Sequence, residues 1–328
     1  MRTHFVGYQS VFSAQIERYI AFKRALNRRY ISEEYALRLF DRYVVAHNIT
    51  TITDVSAEVV DAFLASRPRT RPRSYNHLLG VLRQWFGWMV RQGYLPVCPA
   101  FPRPRRATAQ RIPFLFDQTL VRRLLEVTAT LPDRPKGPAQ AITNRMIFLL
   151  LYGLGLRVGE VSGLRCEDVD LHRNLLIIRE SKFGKSRLAP FGPKMAAELS
   201  GYLQQRHAHC PNLASNSPLF SFTANRAINP TTISLTFHHL LPSLDLKIPP
   251  GVDAPRLHGL RHSFAVGTLL RCWYRSGVSP GDRLLQLSTF MGHVDPDSTA
   301  TYLTITSDLL DAANQRFEQF AFDGSIQS

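Results

Sequence analysis

His293-Val-Asp-Pro-Asp-Ser-Thr-Ala-Thr-Tyr302 is the stretch on which the reading of this chain turns. It opens with an imidazole and closes on a phenol, a potential nucleophile. Upstream lie Arg157 in Leu151-Tyr-Gly-Leu-Gly-Leu-Arg-Val-Gly-Glu160, Lys182 in Ser181-Lys-Phe-Gly-Lys-Ser186, and the pair His258 and Arg261 in His258-Gly-Leu-Arg-His262. Each element alone has a plain structural reading. Tyr302 fits a core tyrosine, Arg157 and Glu160 a helix ion pair, and Lys182 an exposed turn lysine. His262 fits a packed or capping residue. His258 and His262 share a helical face at zinc-ligand spacing. The glutamate that a zinc protease needs between them is missing and no third ligand is near, so neither metal nor cofactor is expected.

As an ordered set the residues suit phosphoryl transfer without a metal. A phosphodiester under attack gathers charge on its non-bridging oxygens, which two arginines and two imidazoles can meet with preorganised donors. A phenol with an ordinary pKa near 10 needs positive surroundings or a base to become a phenolate. The leaving oxygen needs an acid. Six lysines stand against 34 arginines, and Lys182 and Lys185 share one turn. In a chain that favours arginine, a lysine there points to a compact ammonium able to release a proton.

Working outward, a net charge of +15 suggests a polyanionic partner. Residues 1–111 hold 18 basic and 7 acidic residues, a net of +11, against 22 and 18 in residues 112–328. A GC-rich genome inflates arginine but does not explain that asymmetry. Apolar spacing predicts helices over 11–29, 32–47 (Ser32 as N-cap), 56–67 and 74–92. These four form an N-terminal helical domain, residues 1–98. Arg67, Arg69, Arg71 and Arg73 make a basic loop leading into the fourth helix, suited to phosphate contacts or to a merely solvated face. Residues 99–111, with Arg103, Arg105 and Arg106, read as a proline-stiffened linker that attracts phosphate.

A second domain, 112–328, is expected to be mostly helical with a small β-sheet. Helices are predicted at 117–130, 141–163 with a break at Gly153 and Gly155, 192–209, 230–241, 257–277, 281–292 and 307–322. A hairpin joins Asn174–Ile178 to Arg187–Phe191 through a turn near Gly184. No apolar run reaches membrane-spanning length, no signal-peptide core is present, and four unpaired cysteines fit reduced cytoplasmic thiols.

The ordered series Arg157, Lys182, His258-x-x-Arg261, His293 and Tyr302, with Glu160 after the first arginine, resembles the active site of the tyrosine recombinases, or phage integrase family. The four-helix module resembles that family's SAM-like core-binding domain, so the resemblance covers essentially the whole chain. It implies a mixed α/β catalytic domain and attack of Tyr302 on a DNA phosphodiester. That attack gives a 3′-phosphotyrosyl link and a 5′-hydroxyl. Lys182 would be the general acid, His258 would assist proton transfer, and Arg157, Arg261 and His293 would hold the phosphate. Lys185 joins the basic residues expected to touch DNA. The resemblance further implies a homo-tetramer on two DNA duplexes, alone or with sister recombinases, in the cytoplasm at the nucleoid, with the 307–322 helix docking on a neighbour or on its own domain. The longer stretch between Arg261 and His293 is similar to that of integrases carried by mobile elements, recombinase-in-trio members among them. A type IB topoisomerase-like enzyme and a catalytically silent DNA-binding relative are the rival readings.

Overall fold

The structure, a computed structural model, describes residues 7–100, 102–106, 112–132, 140–179, 186–223, 226–273, 280–293, 297–300 and 302. It divides into two compact units, Met1–Gln110 and Arg111–Ser328.

In the first unit, α1 (Ser13–Ala25), α2 (Ile31–Ala46), α3 (Ala57–Ala65) and α4 (Pro72–Arg91) surround an aromatic core. Trp85 of α4 is fully buried, edge-on to Phe12 at 5.2 Å and to Phe40 at 5.7 Å between ring centroids. Truncating such a ring to alanine costs about 3–5 kcal/mol. Pro72 sits in the first turn of α4, where a missing N–H is harmless. Gly93 follows the helix with φ +75, a conformation that favours glycine. One helix start differs from the sequence reading. Ser32 is not the cap of α2; Tyr30 is, in a left-handed conformation with φ 51. The Tyr30 ring is buried and its hydroxyl donates to that of Tyr19 at 3.1 Å. Anchoring that ring brings the helix start forward and leaves the Ser32 hydroxyl to the Glu33 carboxylate. Beyond α4 the chain lies back along the helix. Arg83 donates to the carbonyls of Ala100 and Pro102, and Asn76 exchanges two 2.8 Å bonds with the backbone of Arg105.

The second unit contains α5 (Gln118–Val127), α6 (Gln140–Gly153), α7 (Val158–Gly163), β1 (Val169–Asp170), β2 (Leu175–Ile178), β3 (Arg187–Pro190), α8 (Pro193–His209), α9 (Pro230–Leu240), α10 (His258–Trp273), α11 (Pro280–Met291) and α12 (Asp297–Ala300). The strands form an antiparallel sheet in the order β1-β2-β3, with Leu176 opposite Ala189 and Ile178 opposite Arg187. Leu176, Ile178 and Ala189 join Ile147, Phe148 and Leu150 of α6 in the core. The expected hairpin is present. β1 was not expected, since a two-residue strand carries no periodicity. The turn with Lys182, Gly184 and Lys185 lies outside the described residues, as does the helix expected at 307–322.

Three local features aim the site. α6 stops at Gly153, and Gly155 turns the chain with φ +58; a Cβ there would sit 2.3 Å from the Phe264 ring. That close approach brings the chain round to Arg157, which caps α7. Gly259 lets the start of α10 approach the preceding segment, because a Cβ would meet the Phe114 carbonyl at 2.9 Å. The Phe116 amide then donates to Ser263 at 2.7 Å, which fixes the face of α10 that carries His258, Arg261 and His262. Among the described residues no helix is long and apolar enough to cross a membrane.

Candidate active site

Arg157, Glu160, Arg261, His293 and Tyr302 converge where α7, α10 and the end of α11 meet. Arg157 donates to Glu160 at 2.8 Å and to the Gly292 carbonyl at 2.9 Å, while its own amide donates to the other Glu160 oxygen at 2.9 Å. Arg261 is 1% exposed, and its guanidinium donates to the carbonyls of Gly155 and Met291 and to His293 Nε2, the last at 3.0 Å. Arginine can only donate, so His293 accepts at Nε2, carries its proton on Nδ1 and donates it to Thr299 at 2.6 Å. Burial first, and then the Arg157 charge, bring Arg261 down to about 10, so it remains a cation at neutral pH.

Glu160 is the electrostatic hub. Burial would raise its pKa, but the hydrogen bonds and charge of Arg187, followed by the hydrogen bonds of Arg157, outweigh this and hold it at about 2. Arg187, from β3, grips both carboxylate oxygens at 2.8 and 3.0 Å and donates to the Phe290 carbonyl at 2.9 Å. Its guanidinium packs against Gly292 (φ +66), where a Cβ would lie 3.0 Å from it. The sequence reading missed Arg187. Its signal, an arginine opening the strand after the lysine turn, is visible only once the pairing places it beside Glu160.

Tyr302 is 3% exposed and closes an apolar cluster of Ala265, Val266, Leu269, Leu287 and Met291. Burial raises its pKa, against the pull of Arg261 and Arg157, so the resting phenol is protonated. Its hydroxyl lies 3.2 Å from His262 Nδ1, and its ring stacks on His293 at 6.3 Å. His262 therefore touches the phenol, a contact missed when the sequence suggested only packing or capping. His258 lies on the same face, its ring 4.6 Å from that of His262 and edge-on to it. Burial first, then the charges of His262, Arg261, Arg157 and His293, lower its pKa to about 4. Because the residue keeps an exposed surface, solvent tempers the burial effect and the surrounding charges are the firmer reason for its neutral state. Among the described residues no group of three or more His, Cys, Asp or Glu side chains is placed to hold a metal ion.

A family model described as the phage integrase family matches residues 116–308. A candidate integrase/recombinase of Sinorhizobium fredii, y4rB, is 32% identical over 315 residues, spanning 94% of this chain and 98% of that protein. The chain belongs to the phage integrase family. The tyrosine recombinase XerD of Lacticaseibacillus casei is 26% identical over 293 residues, 88% of this chain and 92% of its own. The solved integrase of transposon Tn1549, in complex with transposon right end DNA, shares the fold. It matches with a TM-score of 0.66 and 15% identity over 94% of this chain and 98% of that one. The molecule is thus a tyrosine-type site-specific recombinase, an enzyme that cleaves and rejoins DNA, and the topoisomerase-like alternative is not favoured.

The other basic residues of this recombinase fall into two kinds. Arg71, Arg73, Arg103 and Arg106 are exposed, while Arg67 and Arg69 are half-buried, Arg67 lying over the Phe63 ring at 5.6 Å. Arg105 is exposed but already engaged, donating to the Arg69 carbonyl at 2.8 Å with its guanidinium 4.0 Å above the Tyr75 ring. Lys182 and Lys185 lie outside the described residues. The strands that flank them, β2 and β3, bring the chain to Arg187 at the edge of the site.

Proposed function

We propose that Tyr302 attacks a DNA phosphodiester and holds the cut strand as a 3′-phosphotyrosyl link, releasing a 5′-hydroxyl. The observation that carries this reading is the convergence of Arg157, Arg261 and His293 on one buried tyrosine, with Arg261 bonded to His293 and His293 stacked on Tyr302. In this reading the two arginines and His293 hold the scissile phosphate, since forked guanidinium donors suit its oxygens and stabilise the charge that grows on them. Lys182 protonates the departing 5′-oxygen and His258, neutral at working pH, assists proton transfer. The covalent link conserves the energy of the broken bond for rejoining. Glu160 and Arg187 position Arg157 from behind.

The first unit clasps the duplex through Arg67, Arg69, Arg71 and Arg73, with Arg103, Arg105, Arg106 and Lys185 adding phosphate contacts. The recombinase acts in the cytoplasm as a tetramer on two duplexes and serves a mobile element. The test uses nicked duplexes taken from the DNA that flanks the gene, incubated with the purified chain in chelator. A denaturing gel should reveal a protein–DNA adduct, and Tyr302→Phe should abolish it while binding stays within about threefold, because only one hydroxyl is removed. An adduct that persists in Tyr302→Phe would overturn the assignment of the nucleophile.

A further inference from the structure

The attacking phenol must lose a proton, and the residues offered for that by the sequence do not touch it among the described residues. His258, the nearest of them in role, meets His262 instead, with the two rings edge-on at 4.6 Å. The side chains on the Tyr302 hydroxyl are His262, whose Nδ1 is 3.2 Å away, and the donor-only Arg261. The His262 and Tyr302 rings are themselves in contact, 5.5 Å between centroids at 60°. An imidazole that meets a phenol through Nδ1 and keeps its proton on Nε2 is an acceptor for the phenolic proton. Among the described residues the other groups facing this pair are cationic or neutral: Arg261 and His258 from α10, Arg157 from the start of α7, and His293 beyond the end of α11. Burial of its ring first, and then the Arg261 charge, lower the pKa of His262 and keep it ready to accept. The cations also favour the phenolate once it forms.

We infer that His262 is a catalytic residue of the recombinase, the base that takes the Tyr302 proton during cleavage and returns it during rejoining. The inference rests on the reading of Tyr302 as nucleophile. The step balances simply. The O–H proton passes to His262 Nδ1, giving an imidazolium, while the phenolic oxygen forms a bond to phosphorus. The bond from phosphorus to the 5′-oxygen breaks, and that oxygen takes its proton from the general acid, assigned above to Lys182. In the reverse direction the 5′-hydroxyl gives its proton back to Lys182 as its oxygen bonds to phosphorus, and the imidazolium reprotonates the tyrosine as it leaves.

The deciding comparison is wild type against His262→Asn, which keeps a polar atom near the Nδ1 position but cannot take a proton. With saturating nicked duplex the variant should form adduct roughly 10²- to 10³-fold more slowly, the usual worth of general-base catalysis. It should also lose the histidine limb of the pH–rate profile and bind DNA unchanged. Placing 3-fluorotyrosine, a more acidic phenol, at position 302 should restore part of the lost rate in His262→Asn, which a packing defect would not allow. In the DNA-free chain, fluorine NMR of that same residue should show its titration midpoint shift when His262 is replaced. Adduct formation by His262→Asn within about threefold of wild type, with the pH profile retained, would overturn the inference. So would a slow variant that the fluorinated tyrosine does not help. If wild type forms no adduct on Tyr302, the nucleophile reading fails on that gel alone, and an unmoved fluorine titration separately rejects the His262 contact.

Discussion

The free arginines of the first unit and the arginines at the site of the second stand in opposite circumstances. In the first unit Arg71, Arg73, Arg103 and Arg106 are exposed and have no partner among the described residues. In the second, Arg261 is buried and Arg157 and Arg187 are half-buried, and each is tied to a carboxylate, a backbone carbonyl or both. Exposed cations are cheap to place and attract any polyanion, weakened by salt. Buried cations cost several kcal/mol each unless every donor finds an acceptor. The second unit therefore shapes backbone around them, turning the carbonyls of Gly155, Phe290, Met291 and Gly292 inward and burying Glu160 between two guanidiniums. Affinity for a polyanion can come from charge density, whereas chemistry at one phosphate needs charge held still.

The strongest way to break this contrast is to remove the hub. Glu160→Gln leaves Arg157 and Arg187 without their shared counter-charge, and adduct formation should fall by roughly 10²-fold or more as the phosphate-binding geometry loosens. The change should also destabilise the second unit by about 3 kcal/mol. The same group sets an acid limit. Its folded pKa of about 2 lies below the ordinary 4.5, so its contribution is full above pH 4.5 and is lost as pH falls through 2. From the size of the shift that contribution is about 3 kcal/mol. Thermal melts of wild type and Glu160→Gln should converge across that window; parallel curves would contradict the hub.

Next in size is the glycine that carries the Arg157 turn. Gly155→Ala combines a left-handed backbone with a Cβ 2.3 Å from Phe264, and should cost on the order of 2–3 kcal/mol in a denaturant titration. The arginines of the basic loop should behave differently. Replacing Arg67, Arg69, Arg71 and Arg73 together by alanine should weaken DNA binding and lower the salt slope by about 0.9 for each phosphate that is no longer neutralised, without slowing cleavage at saturating DNA. A salt slope unmoved by the four changes would rule out the clasp. Smallest of all, breaking the solvent-facing Arg145–Glu198 pair, 2.6 Å apart, should change stability by under about 1 kcal/mol.

The sequence carried the helices well where amphipathic spacing was long, as in α4, and where a glycine marks the stop, as at Gly93. It misplaced the start of α2 because Ser32 has the chemistry of a cap, whereas a buried Tyr30 settles the geometry. Within the site, the spacing of His258 and Arg261 on one helical turn was legible from periodicity. The ordered series brought together Arg157, Arg261, His293 and Tyr302. Arg187 was not legible, since its meaning depends on antiparallel pairing that delivers β3 to Glu160 across 27 residues of chain. Nor was the role of His262, one residue beyond a recognised motif, because the Tyr302 hydroxyl that it meets is 40 residues away. Contacts of that kind are written in packing and not in local pattern.

The chain has 11 tyrosines, and the central claim concerns one of them. The direct measurement is to trap the adduct on nicked duplex, trim the DNA with nuclease, digest the protein and identify the nucleotide-bearing peptide by mass spectrometry. A single modified peptide is expected, carrying the nucleotide remnant on Tyr302. A remnant on any other tyrosine, or on a serine, would contradict the claim.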